Sequence, residues 1–138
     1  MDNEYFMEEA LKEAKKAYKK EEVPVGAVIV KDGLIIAKAH NLKETKKNAI
    51  AHAEILAINK ACKKLNNWRL ENCIMYITLE PCSMCASAIS QTRIDKVIVG
   101  ALDPKPKEYT INMETGILKD KCEQILKDFF KSLRGKNG

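Results

Sequence analysis

Two short stretches constrain this chain more than anything else in it: Ala51-His52-Ala53-Glu54 and Leu79-Glu80-Pro81-Cys82-Ser83-Met84-Cys85. Together they read H-x-E and P-C-x-x-C, a pattern in which one imidazole and two thiolates hold Zn²⁺ while the carboxylate stays off the metal and moves protons. Residues two apart lie on different faces of a helix body, so His52 and Glu54 serve one site only from a first turn whose N-terminus points at it. Pro81 suits the same geometry in the other half, because proline fits where a helix starts and no N–H is needed. The chain is therefore expected to bring two helix N-termini to one point, and their positive ends to lower the thiol pKa of Cys82 and Cys85.

Counting ligands turns this into chemistry. Structural zinc is closed by four protein ligands, whereas catalytic zinc usually has three and an exchangeable water. His52, Cys82 and Cys85 make three. Cys62 falls far down the helix that His52 begins, Cys73 sits early in a strand, and His40 and Cys122 have no ligand spacing. A closed structural zinc and a redox C-x-x-C pair are the bland alternatives. Two thiolates neutralise the ion's formal charge, so the water needs a carboxylate beside it, and Glu54 fits that role. The expected reaction is attack of water on an amidine-type ring carbon bearing an exocyclic amine, with Glu54 returning protons to a ring nitrogen and to departing ammonia.

At 138 residues, residues 1–138 are read as one zinc-dependent domain, and with 46% hydrophobic residues it can bury a core. No apolar run approaches the ~18 residues that span a membrane, and the start Met1-Asp2-Asn3-Glu4 lacks a signal peptide's basic and apolar segments. A cytoplasmic, reducing location without membrane contact is expected, and five cysteines fit metal binding there better than a disulfide framework. The net charge of +5 is matched by any lysine-rich solvated surface and favours a nucleic-acid partner only slightly.

Met7, Ala10, Leu11, Ala14, Ala17 and Tyr18 predict an amphipathic helix over 3–20 with solvated charges. Apolar runs 25–30 and 34–39 around Asp32-Gly33 predict a β-hairpin. A polar loop over 40–50 leads to a helix from His52 to Leu65, with Ile55, Leu56, Ile58 and Ala61 inward and Asn66-Asn67 at its end. A buried strand over 73–79, a helix over 82–91 and a strand over 96–101 make a βαβ unit with parallel strands, which puts the ligands at the strands' carboxyl edge. Pro104 and Pro106 keep 102–108 irregular, 109–113 reads as a fifth strand, and a last amphipathic helix begins near Leu118 and ends at Gly135.

On these residues the sequence resembles the cytidine deaminase superfamily, most closely the bacterial tRNA-specific adenosine deaminases. The resemblance covers nearly the whole chain, through Glu22 to Val28, Asn41, Ala51 to Glu54, Asn67 to Leu70, Leu79 to Cys85, Gly116 to Leu118, and Asp128-Phe129-Phe130 with Arg134. It implies a three-layer α/β/α fold with a mixed five-stranded sheet, commonly a homodimer. His52, Cys82 and Cys85 carry over as ligands of one Zn²⁺ and Glu54 as the proton shuttle. Asn41, Ala53 and Pro81 would meet the flipped base. Phe130 and Arg134 sit where that family's C-terminal helix meets tRNA, whereas Phe129 on the apolar stripe reads as core. Lys43, Lys46, Lys47 and Lys131 are candidates for phosphates of the tRNA anticodon loop, although a solvated surface reads at least as well for the lysine loop.

One departure stands out. The family has a longer segment between the fourth and fifth strands, with a Gly-rich loop and a short helix. Here Asp103-Pro104-Lys105 leads almost directly to Tyr109, so a strand at 109–113 beside the fourth should be antiparallel or displaced. The leading expectation is conversion of adenosine to inosine at the tRNA wobble position. A deaminase of a free base or nucleoside, such as guanine, adenosine, cytosine or cytidine, is the second. The third, from another class, is a zinc-stabilised binding protein without turnover.

Overall fold

The computed structural model describes residues 2–105 and 107–137. Their order is α1 (Asn3–Lys19), β1 (Gly26–Lys31), β2 (Leu34–His40), α2 (Ala53–Leu65), β3 (Cys73–Leu79), α3 (Ser83–Gln91), β4 (Lys96–Ala101), β5 (Met113–Thr115) and α4 (Lys119–Asn137). The sheet runs β2-β1-β3-β4-β5. β1 is antiparallel to β2 and β3, while β3, β4 and β5 are parallel, so the sheet is mixed.

Alternation along the strands builds the two faces. Ala27, Ile29, Met75, Ile77, Val97 and Val99 pack with Ala53, Ala57, Ala61 and Ile89, covered by α2 and α3. Val28, Val30, Tyr76 and Ile98 pack on the other face with Phe6, Met7, Ala10, Leu11 and Cys122 from α1 and α4. This is the three-layer α/β/α arrangement. Asp32 and Gly33, at φ +51° and +76°, make the tight turn between β1 and β2. Asn66 at φ +51° ends α2 in a left-handed cap.

Close packing has a sequence cause at Gly26, where any Cβ would overlap the carbonyl oxygen of Ala10 and the amide nitrogen of Ala14 in α1. The missing side chain lets the helix backbone lie directly on β1.

Five expectations need correction. Not all charges of α1 are solvated: Glu9 and Glu13 are buried. Glu13 binds Lys16 at 2.6 Å and His40 Nδ1 at 3.0 Å, and Glu9 binds Lys12 at 2.6 Å. His40 belongs to β2 rather than to the following loop, and its Nε2 meets Lys20 Nζ at 3.0 Å. In α2 the fully buried seam is alanine, with Leu56 and Ile58 only partly covered and Ile55 outside the cluster. Residues 109–112 are not a strand: β5 starts at Met113 and pairs Val97 to Met113 in parallel, the displacement lengthening the connection to 102–112. Gly135 lies inside α4 with open space around it, so nothing there compels the helix to stop.

Candidate functional site

The site forms at the carboxyl ends of β3 and β4, where α2 and α3 begin. His52 is the N-cap residue of α2 and Cys82 that of α3, both with extended backbone. Their carbonyls accept the first intrahelical bonds, from Leu56 N–H at 3.0 Å and Ala86 N–H at 2.9 Å. Neither side chain caps its helix, which leaves both free to face the site. Glu54 and Cys85 follow on the first turns. This arrangement explains how a histidine and a glutamate two apart serve one centre.

The ligand atoms of His52, Cys82 and Cys85 all lie within 4.8 Å of one another. His52 Nδ1 stands 3.4 Å from Cys85 Sγ and 3.8 Å from Cys82 Sγ. Burial holds the His52 imidazole below its ordinary pKa, helped by Lys43 and opposed by a hydrogen bond to the Ala49 carbonyl. A neutral ring is the form that ligates metal. Cys62, Cys73 and Cys122 are free thiols, and among the described residues the only His/Cys/Asp/Glu group shaped for a metal is His52, Cys82 and Cys85.

Full burial pushes Glu54 up to about 7, opposed in part by its own backbone N–H and by the Cys85 thiol. Cys85 is driven well above its ordinary value by burial, then by Glu54 and Cys82. The direction at Cys85 is thus opposite to the lowering expected from the helix ends, and burial is its main cause. A buried thiol at Cys85 and a buried carboxyl at Glu54, beside the half-exposed Cys82, make a site that a divalent cation relieves, since such an ion reverses the local pKa logic. Imidazole and thiolate ligands suit zinc.

A cleft of about 530 Å³ opens onto this group, lined by His52, Glu54, Cys82 and Asn41 together with Glu22, Lys43, Leu79, Glu80, Asp103 and Phe129. Asn41 Oδ1 accepts from Ala53 N–H at 2.8 Å, so the side chain at the cleft wall also caps α2. Ala53 and Pro81 are buried beside the cleft rather than lining it.

The loop over 41–50 carries Lys43, Lys46 and Lys47, all exposed, with Lys43 on the cleft wall. From α4, Phe129 is buried against Tyr18 and also reaches the cleft, whereas Phe130, Lys131 and Arg134 are exposed. Phe130 and Arg134 line an adjacent groove of about 510 Å³ with Leu102 and Asp103.

Sequence reasoning missed two residues of this site. Glu22, 2% exposed, accepts from Glu44 N–H at 3.0 Å and from the Thr45 N–H and hydroxyl at 2.6 Å each. It anchors the lysine loop to the start of β1. Burial opposes its ionisation, but those hydrogen bonds win and hold its carboxyl below the usual range. Tyr109, read as part of a strand, donates its hydroxyl to the Pro81 carbonyl. Burial, then Glu80, Cys82, Glu54 and Asp103, push that phenol up to about 12. No spacing signal marks either residue, since each acts through a partner distant in sequence.

Comparison with known proteins follows the same lines. The family described as MafB19-like deaminase matches residues 1–134. A tRNA-specific adenosine deaminase of Bacillus subtilis (strain 168) is 49% identical over 148 aligned positions, covering 97% of this chain and 92% of the relative. That alignment is longer than the 138 residues of this chain, so the relative carries residues that this chain lacks. One from Aquifex aeolicus (strain VF5) is 48% identical, covering 97% of each. Among solved structures, a tRNA:A34 deaminase studied for A-to-I editing at the wobble position superposes with a TM-score of 0.83 at 39% identity, over 88% of this chain and 99% of that one. A guanine deaminase from Bacillus subtilis gives 0.71 at 33% identity, over 98% and 95%.

Proposed function

The chain belongs to the MafB19-like deaminase family, and from that premise we propose that it is a zinc-dependent hydrolytic deaminase converting adenosine to inosine at the wobble position of tRNA, with release of ammonia. The observation that carries the reading is a fully buried Glu54 carboxyl beside three convergent ligands at the floor of an open cleft.

His52, Cys82 and Cys85 would hold one Zn²⁺, which when bound supplies the Lewis acidity that makes a water nucleophilic near neutral pH. Glu54 takes one proton of the attacking water and gives it to a ring nitrogen, then takes that water's second proton, now on the hydroxyl of the ring carbon, and passes it to the departing amine. One C–O bond forms, one C–N bond breaks, and water's oxygen remains as the inosine carbonyl. Its position suits Glu54 to both halves of this transfer, because one carboxyl held beside the metal ligands can first accept a proton and then donate it. Asn41 is held by its bond to Ala53 and orients the base, with Ala53 and Pro81 closing the wall behind it. Lys43, Lys46 and Lys47 on one loop, and Phe130, Lys131 and Arg134 on α4, would bind the anticodon loop by phosphate pairing and base stacking. The protein would act as a homodimer in the cytoplasm.

The test is incubation of the zinc-loaded protein with a tRNA transcript bearing adenosine at the wobble position, beside free adenosine, guanine, cytosine and cytidine, with products read by mass spectrometry. Inosine in the tRNA is the expected result. Turnover of a free base or nucleoside with the tRNA untouched would move the assignment to a deaminase of that small substrate, guanine, adenosine, cytosine or cytidine. Glu54→Gln should abolish turnover, by at least ~10³-fold, while zinc content and circular dichroism stay unchanged. Retained turnover in that variant would remove Glu54 from the mechanism.

A further inference from the structure

The connection over 102–112 between β4 and β5 is tied down at several points. Asp103 N–H donates to Glu80 Oε1 at 3.0 Å, Lys107 Nζ reaches Asp103 Oδ2 at 2.9 Å, and the Tyr109 hydroxyl donates to the Pro81 carbonyl. Two of these ties end on the residues that lead directly into Cys82. We propose that Tyr109 is a positioning residue of the metal centre, its hydroxyl fixing the Pro81–Cys82 peptide and with it the direction in which Cys82 presents its sulfur to His52 and Cys85.

The chain geometry around Cys82 leaves one rotation to be fixed. Glu80 N–H is held by the Ala101 carbonyl at 2.9 Å, and the Cys82 carbonyl is committed to Ala86. The proline ring locks φ at residue 81 and removes its N–H, so the Pro81 carbonyl is the polar handle left on that residue. Rotation about the Cα–C bond of Pro81 carries the Cys82 backbone with it, and so re-aims the Cys82 side chain at the point where the chain passes from β3 into α3. Tyr109 holds that carbonyl. Cys85 needs no such help, being fully buried, but Cys82 is half-exposed at the cleft edge and has less packing to orient it. A partly buried carbonyl also costs free energy when it loses its donor, so the bond has reason to persist.

This inference rests on the zinc reading of the site. Its test is Tyr109→Phe, which keeps the ring and deletes only the hydroxyl. Zinc transfer from the loaded protein to a chromogenic chelator should accelerate about tenfold, as loss of an outer hydrogen bond does at other metal sites. The cobalt-substituted variant should show shifted d–d and sulfur-to-cobalt charge-transfer bands, with far-ultraviolet circular dichroism unchanged. Lys107→Met, which frees the connection elsewhere, should leave zinc release at the wild-type rate. Release within twofold of wild type with unaltered cobalt bands in Tyr109→Phe would overturn the role. Equal acceleration in Lys107→Met would overturn it too, by making looseness of the segment the cause. A wild-type protein that takes up no zinc would overturn the metal reading and this inference together, an outcome visible before any variant is made.

Discussion

Glu22 and Glu13 show how far a single carboxylate can reach in this molecule. Each is buried and each is held ionised below its ordinary value of 4.5, Glu22 by Thr45 and the Glu44 and Thr45 amides, Glu13 by Lys16 and His40 against the opposing cost of burial. A depressed folded-state pKa means that the unfolded chain binds more protons in acid. The stabilisation is complete above about pH 4.5 and is lost as the pH falls through the lower folded values. Glu22→Gln should therefore lower the stability measured by urea at neutral pH by about 1–3 kcal/mol, because its amide N–H₂ meets donors where an acceptor stood. The same variant should show a shallower loss of stability below pH 4.5 than wild type. Proton-dependent unfolding identical to wild type would mean that Glu22 is not the group responsible. Neither carboxylate is legible in the sequence, where both look like ordinary charges next to lysines. Lys16 lies one helical turn from Glu13, but the partners that bury these carboxylates productively, His40, Glu44 and Thr45, are 22 to 27 residues away and become neighbours only when β2 and the loop over 41–50 are in place.

Elements differ in how much of themselves they reveal. Glycine substitutions make the contrast measurable. Gly26→Ala must push α1 off β1 and should cost at least about 2 kcal/mol by chemical denaturation. Gly135→Ala, in a helix with open space around it, should instead stabilise by about 0.5 kcal/mol. A neutral Gly26→Ala would mean that the helix is not packed as closely as its backbone requires. The hairpin, β3, β4 and the helix starts at His52 and Cys82 are readable because local chemistry dictates them: Asp-Gly for the turn, an unbroken apolar run for a strand covered on both faces, proline ahead of a helix. β5 escapes such reading because a three-residue edge strand carries almost no pattern, and because the apolar Ile111 and Met113 extend as well in a loop as in a sheet. The alanine seam of α2 is easily underestimated since alanine weighs little in hydrophobic patterning, yet small side chains are what let a helix lie close to the sheet.

At the scale of the whole molecule, the His52, Cys82 and Cys85 group, Glu54 and the cleft beside them are all foreshadowed by two motifs, but their meeting depends on the parallel pairing of β3 with β4 and on α2 covering the same face as α3. The surface proposed for tRNA is legible in the sequence only as scattered lysines. Folding gathers Lys43, Lys46 and Lys47 onto one loop and Lys131 and Arg134 onto the outer part of α4, with Lys43 and the α4 residue Phe129 reaching a common cleft. The affinity for a tRNA anticodon stem-loop should fall steeply with salt, and Lys43→Ala/Lys46→Ala/Lys47→Ala with Lys131→Ala/Arg134→Ala should flatten that dependence by about 0.7 in log–log slope for each phosphate no longer neutralised. Salt-independent binding, or an unchanged slope in the combined variant, would remove this surface from the interface. No described helix is long and apolar enough to cross a membrane.

The crowding of two sulfurs around one imidazole has a practical side. Ligand atoms within 4.8 Å of each other suit a small ion, and the same nearness leaves Cys82 and Cys85 within easy reach of covalent joining once an oxidant removes two electrons and two protons from them. A preparation stripped with chelator in air should lose free thiols and its capacity to take metal back, whereas one kept under a phosphine reductant until the ion is added should keep both. Order of addition at the bench, reductant first and metal second, thus follows from the positions of two side chains at the start of one helix.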